Sequence, residues 1–285
     1  MRMPQKYRHR RKRAVSQCAL LTSAPILPTA PKISFSMKKS TIINLLSAAT
    51  FLAMAFPARA QEKQYDDLLV KYVDEKYEEC ITKAERYTEA DNTKKDPLPY
   101  LYMSMCLFEM SKIPKYQEME DYKKADRDAL KYAEKYRKKD KEKEFFGNYE
   151  DFWAELNTMA QESGLNEYES GVKGMSKARR FFDSMTGYYP ENPGPWMMLA
   201  LCQYNTNLQK DGDESMKQYQ AALDAAGGLS SLPEDQKKLM KSALIHDAEY
   251  LNGKGDKSGA KAALELGKDV FIDDPEFKGA YESFH

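Results

Sequence analysis

The chain has 285 residues, with 44 Lys and Arg against 44 Asp and Glu, a formal net charge of zero. That neutrality averages two unlike parts: residues 1–60 hold 11 basic residues and no acidic one, which leaves 33 basic against 44 acidic, a charge of −11, in residues 61–285. So acidic a body lacks the positive face that phosphate contacts require, and nucleic-acid binding is excluded as its main work. The basic run RHRRKR, Arg8 to Arg13, has the composition of a nuclear or nucleic-acid signal, but the segment that follows it argues for export.

From Met37 the chain reads MKKSTIINLLSAATFLAMAFPARAQ: two lysines, an apolar core from Ile42 to Phe56, and the small residues Ala58 and Ala60 on either side of Arg59. That order is the order of a secretory signal peptide. The apolar run is shorter than the roughly 20 residues that a membrane span needs. Residues 37–60 are therefore assigned as the signal peptide, and residues 1–36 as an upstream extension outside the working protein. The rival reading takes all 60 acid-free residues as an organelle transit peptide. The expected location is the periplasm or the exterior of a bacterial envelope, with no stable membrane anchor after cleavage.

Residues 61–285 suffice for one domain, and three of the four cysteines fall there: Cys80, Cys106 and Cys202. An odd number inside helical patterns is not a disulfide framework, although one bridge between two of them remains open in an oxidising compartment. Strand alternation is missing and Lys, Glu, Ala, Leu, Met and Tyr dominate, which predicts an all-α fold. Tyr65, Leu68, Leu69 and Tyr72 share one helical face, and Tyr77, Cys80, Ile81, Ala84 and Tyr87 form the face of a partner helix. After a polar stretch, Asp91 to Pro97, a second pair carries Tyr100, Met103, Ser104 and Leu107. Its partner, reached through a loop around Pro114, carries Tyr122, Ala125, Ala129 and Tyr132 and runs into the charged stretch KYRKKDKEKE, read as a solvated helix end.

The third pair holds Phe146, Phe152, Trp153, Leu156 and Met159, is expected to turn at Gly164, and returns through Tyr168 and Val172 to Ala178, Phe182 and Met185. Pro190, Pro193 and Pro195 forbid that helix from continuing. The fourth pair opens with Trp196, Leu199, Ala200 and Gln203, continues through Ser215, Tyr219 and Ala222, and stops at Gly227 and Gly228. The acidic stretch Asp211 to Glu214 between its helices reads as a turn and helix cap. A fifth pair spans Pro233 to Asn252 and Asp256 to Ile272, and after Pro275 a capping helix runs from Phe277 to Phe284.

The junction from Lys177 to Tyr204 resembles the tetratricopeptide repeat. Ala178-x3-Phe182 and Pro190 stand where that family has its second-helix motif and turn, and Trp196-x2-Leu199-Ala200 opens the next unit. Ala200 replaces the family's glycine, and Tyr204 falls one residue beyond the expected tyrosine. The resemblance implies a right-handed superhelix, or solenoid, of antiparallel helix pairs, with about five irregular repeats plus the C-terminal cap across residues 61–285. Five regular repeats account for about 170 residues, so the remainder lies in insertions.

No motif of a nucleotide, metal or nucleophile site occurs, and neither His246 nor His285 has a carboxylate and nucleophile at catalytic spacing. No catalytic residue, cofactor or metal is expected. In the superhelix that the resemblance implies, the first helices of the pairs line the inner surface, which would place Leu101, Met105, Phe108, Met197, Leu201 and Tyr204 in an apolar groove for a protein or peptide client. The alternative is that these residues are core between helices. The expected function is a non-catalytic interaction scaffold; the competing reading is a glycan or cell-wall-fragment binder that uses Tyr188, Tyr189 and Trp196 as stacking surfaces.

The cleavage pattern predicts a mature N-terminus at Gln61. Intact mass checks it: a major species that retains residues 38–60 would make the apolar run an anchor.

Overall fold

Two long apolar helices explain the arrangement of the rest. In the computed structural model, which describes residues 65–284, Leu98–Ser111 buries side chains on every side, from Leu101, Tyr102 and Met103 to Cys106, Phe108 and Met110. Pro193–Asn205 does the same with Met197 to Cys202. A helix that is apolar all round must be enclosed by other elements, and both are.

The first pair is α1 (Asp66–Val73) with α2 (Tyr77–Glu89). The second is α3 (Leu98–Ser111) with α5 (Ala125–Lys139), joined through the single turn α4 (Pro114–Gln117), which replaces the predicted loop. After a 3-10 turn at Phe146–Tyr149 comes α6 (Glu150–Glu169), paired with α7 (Val172–Tyr188). Then α8 (Pro193–Asn205) pairs with α9 (Gln209–Ala226), and α10 (Glu234–Gly253) with α11 (Lys257–Phe271), before the terminal α12 (Pro275–Phe284). The described residues contain no strand, so the all-α expectation holds. α3 is surrounded by α1, α2, α4 and α5, and α8 by α7, α9 and α10. The second and third pairs meet chiefly through their second helices, α5 along α7. The expected signal peptide and upstream extension fall outside the described residues. No helix among the described residues is long and apolar enough to cross a membrane.

The junction between α7 and α8 forms where the prolines place it. Asn192 caps α8, its side-chain oxygen accepting from the Gly194 N–H at 3.2 Å, and Pro193 occupies the first turn, where a missing N–H costs nothing. Ala178, Phe182 and Met185 are fully buried on one face of α7. At the far end of α9, Gly227 takes the left-handed conformation and the Gly228 N–H donates to the Leu223 carbonyl at 3.1 Å, a glycine helix stop.

Three predicted boundaries differ. The third pair turns at Gly171, whose φ of 69° suits glycine, and α6 runs straight through Gly164. Gly164 instead marks a crossing: a methyl group there would lie 2.8 Å from Phe182 Cζ, so its small size lets α7 approach. Asp211 to Glu214 lie inside α9, which starts at Gln209. The charged run after α5 is not solvated throughout, because Asp140 is buried. It accepts from the Tyr136 hydroxyl, from the Glu144 N–H at 2.7 Å and from the Phe145 N–H at 3.2 Å, and so ties down the turn after α5. The three described cysteines, Cys80, Cys106 and Cys202, are free and buried; the Cys80 and Cys106 thiols meet between α2 and α3, where their mutual hydrogen bond and burial push the Cys106 thiol up.

Trp153, and not Trp196, is the tryptophan at the centre of the packing. Its ring stacks on Phe146 at 4.6 Å, leans on Tyr136 at 5.4 Å, and donates from Nε1 to the Phe146 carbonyl at 3.0 Å. Trp196 is only half-buried and is held by a 2.8 Å hydrogen bond to the Pro190 carbonyl. Trp153→Ala is therefore expected to cost about 3 to 5 kcal/mol and Trp196→Ala about half that, read from urea unfolding. Equal losses would contradict the different burial of the two rings.

Candidate interaction surface

Five of the six groove residues lie inside the protein. Leu101, Met105, Phe108, Met197 and Leu201 are all buried, at 7% exposure or less. The reason is the all-round burial of α3 and α8: helices surrounded by their neighbours have no apolar face left for a client. Of the two readings open from sequence, these five positions fit core. Tyr204, near the end of α8, is the one that reaches solvent.

Tyr204 belongs to a tyrosine-rich surface that spans α6, α8, α9 and α10. Its ring lies face to face with Tyr250 of α10, centroids 5.4 Å apart and planes within 15°. Its hydroxyl donates to Asp213 Oδ1 at 3.0 Å, and the ring occupies the space a side chain at Gly212 would need. Alongside, Tyr168 of α6 packs on His246 of α10 at 4.8 Å and accepts a hydrogen bond at its hydroxyl from Asn205 Nδ2 at 3.2 Å. His246 Nδ1 lies 2.9 Å from Glu249. Two aromatic pairs, each pinned by a polar contact, thus present half-buried rings beside carboxylates and an amide.

Behind these rings sits Asp247, buried and without a hydrogen bond to any described residue. The hydroxyl-bearing rings of Tyr168, Tyr204 and Tyr219 feel its charge, and the Tyr219 hydroxyl is itself buried and unpartnered. Burial pushes the Asp247 carboxyl up to about 6 and the Tyr219 hydroxyl to about 12. Among the described residues no three His, Cys, Asp or Glu side chains converge as a metal site would require.

The aromatic trio of the glycan reading does not form one platform. Tyr188 is fully buried, its hydroxyl donating to Asn157 Oδ1 at 2.7 Å, while Asn157 donates on to Asp235 at 3.0 Å. Tyr189 and Trp196 are half-buried, Tyr189 against the Phe146 ring at 4.9 Å. Tyr250 and Asp247 meet Tyr204, and Tyr168 meets His246, only through tertiary packing; no sequence spacing connects them. Comparison with known proteins returns no matching family model, no matching curated protein and no matching solved structure.

The Asp247 environment gives a pH dependence with a definite sign. A carboxyl raised from 3.8 to about 6 leaves the folded state holding more protons than the unfolded state between those values, so stability falls as pH rises from about 4 to about 6. Asp247→Asn is expected to flatten that slope and to raise stability at pH 8 by up to about 3 kcal/mol. Urea unfolding at a series of pH values checks it; a variant less stable than the wild type at pH 8 would mean that Asp247 has a stabilising partner.

Proposed function

We propose that residues 61–285 form a non-catalytic, tetratricopeptide-like superhelical scaffold, exported to the periplasm or exterior, that binds a segment of a protein client. Support for the repeat reading comes from the two equivalent small positions: Ser104 in α3 and Ala200 in α8 are both fully buried, and Ser104 Oγ donates across to the Ala129 carbonyl of α5 at 2.7 Å. The signal-peptide pattern from Met37 supports export.

The observation that carries the binding role is the Tyr204–Tyr250 pair. Rings held in place before a partner arrives offer a large contact area at small entropic cost, which is why tyrosine is frequent at binding hot spots. The client surface is therefore placed around Tyr168, Tyr204, His246 and Tyr250, at the edge of the packed helices. The glycan alternative draws on the same geometry, since the face of a stacked tyrosine beside Asp213 and Asn205 also suits a sugar ring.

A photocrosslinking amino acid at position 250, in the native envelope, tests the protein reading. The expected result is a protein adduct reduced about tenfold by Tyr204→Ala, corresponding to about 1.4 kcal/mol, and absent when the crosslinker stands at exposed Lys261 of α11. Adducts of equal yield from both positions would reject the surface. A tyrosine fluorescence change with oligosaccharide and no protein adduct would favour the glycan binder.

A further inference from the structure

Between α5 and α7, away from the tyrosine surface, a small open cleft of about 50 Å³ is lined by Arg127, Leu130, Lys177, Arg180, Phe181 and Ser184. Its floor is apolar: Leu130 and Phe181 are buried, and the Arg127 guanidinium sits 5.8 Å above the Phe181 ring. Its rim is cationic. On α7, Lys173, Lys177, Arg180 and Ser184 recur at i, i+4, i+7 and i+11 and so share one side of the helix.

Two of the rim cations are free of ion pairs. Lys177 pairs with Glu167 at 3.2 Å, but neither Arg127 nor Arg180 has an ion-pair partner among the described residues. Asp183 stands three residues from Arg180 without pairing to it. Glu134 accepts a hydrogen bond from the lining residue Ser184, and burial raises its carboxyl above the usual range. The cleft thus brings together two guanidiniums free of ion pairs, Arg127 over the Phe181 ring and Arg180 on the same rim, beside an apolar floor.

We propose that this cleft binds a phosphate monoester carried on an apolar or planar group. Two free guanidiniums match the charge of about −1.5 to −2 that a phosphate monoester bears near neutral pH. Guanidinium forks also fit its oxygens in bidentate fashion. Leu130 and Phe181 supply contact for the organic part, which inorganic phosphate lacks. The same chemistry occurs in a soluble phosphate monoester and in the headgroup of phosphatidic acid. This site is separate from the tyrosine surface and does not rest on the proposed client.

The test is calorimetric titration of the full chain with phenyl phosphate, inorganic phosphate and phenol, alongside Arg127→Glu/Arg180→Glu and Arg127→Gln/Arg180→Gln double variants. The expected result is one site for phenyl phosphate, at least about tenfold tighter than for either half alone and weakened at least about tenfold in both variants, with unchanged thermal unfolding. The glutamine variant keeps the test valid if charge reversal perturbs folding. Sedimentation with phosphatidylcholine vesicles, with and without phosphatidic acid, separates the sources. Binding that needs phosphatidic acid and is displaced by phenyl phosphate supports the lipid headgroup; no vesicle binding beside tight phenyl phosphate binding supports the soluble monoester. Inorganic phosphate binding as tightly as phenyl phosphate, affinity unchanged in the variants, or no binding at about 10 mM would each overturn the proposal.

Discussion

Enclosure of α3 and α8 is the constraint on which the structure depends. Each presents large apolar side chains around its whole circumference, so each must be covered on all sides. The amphipathic helices do the covering: α2 and α5 bury one stripe against α3, and α7 and α9 bury theirs against α8. Leu101 and Leu201, both fully buried, are therefore interior residues of the same kind as Phe182 and Leu244. The side chains that reach solvent are those at helix ends and on the polar faces of the covering helices.

Close approach at particular small residues makes that coverage tight. At Gly164 the Phe182 ring enters the space of a missing side chain, and at Gly212 the Tyr204 ring does the same. The second contact joins core packing to the proposed binding surface, because the ring seated over Gly212 is the one that stacks on Tyr250. Its hydrogen bond to Asp213 holds the ring from a second direction. The proposed binding surface is thus an extension of core packing, with its outer ring left accessible to a partner.

Much of the fold was legible because helix periodicity is a local property. Ala178, Phe182 and Met185 at i, i+4 and i+7 are all fully buried, and the prolines after them end α7 as their chemistry requires. What depended on a distant neighbour was not legible. Gly164 has the same sequence appearance as a turn glycine, and only Phe182 decides between turn and crossing. Asp140 looks like one more charge in a solvated run until Tyr136 and two backbone N–H groups converge on it. One sequence signal favours the core reading of these helices: LPYLYMSMCLFEM, Leu98 to Met110, has almost no polar side, which marks a helix enclosed by others. Tyr204 was legible as a candidate, but its stacking partner Tyr250 and the nearby Asp247 had no mark in the sequence.

The most direct test of this account is urea unfolding of the Leu101→Gln/Met197→Gln double variant. Each substitution buries an amide without a partner in an enclosed helix, so the account predicts a loss of about 1 to 3 kcal/mol at each site, with helix content falling in one transition. An unfolding midpoint equal to that of the wild type would contradict it, because it would place both side chains in solvent and return α3 and α8 to the lining of an open groove.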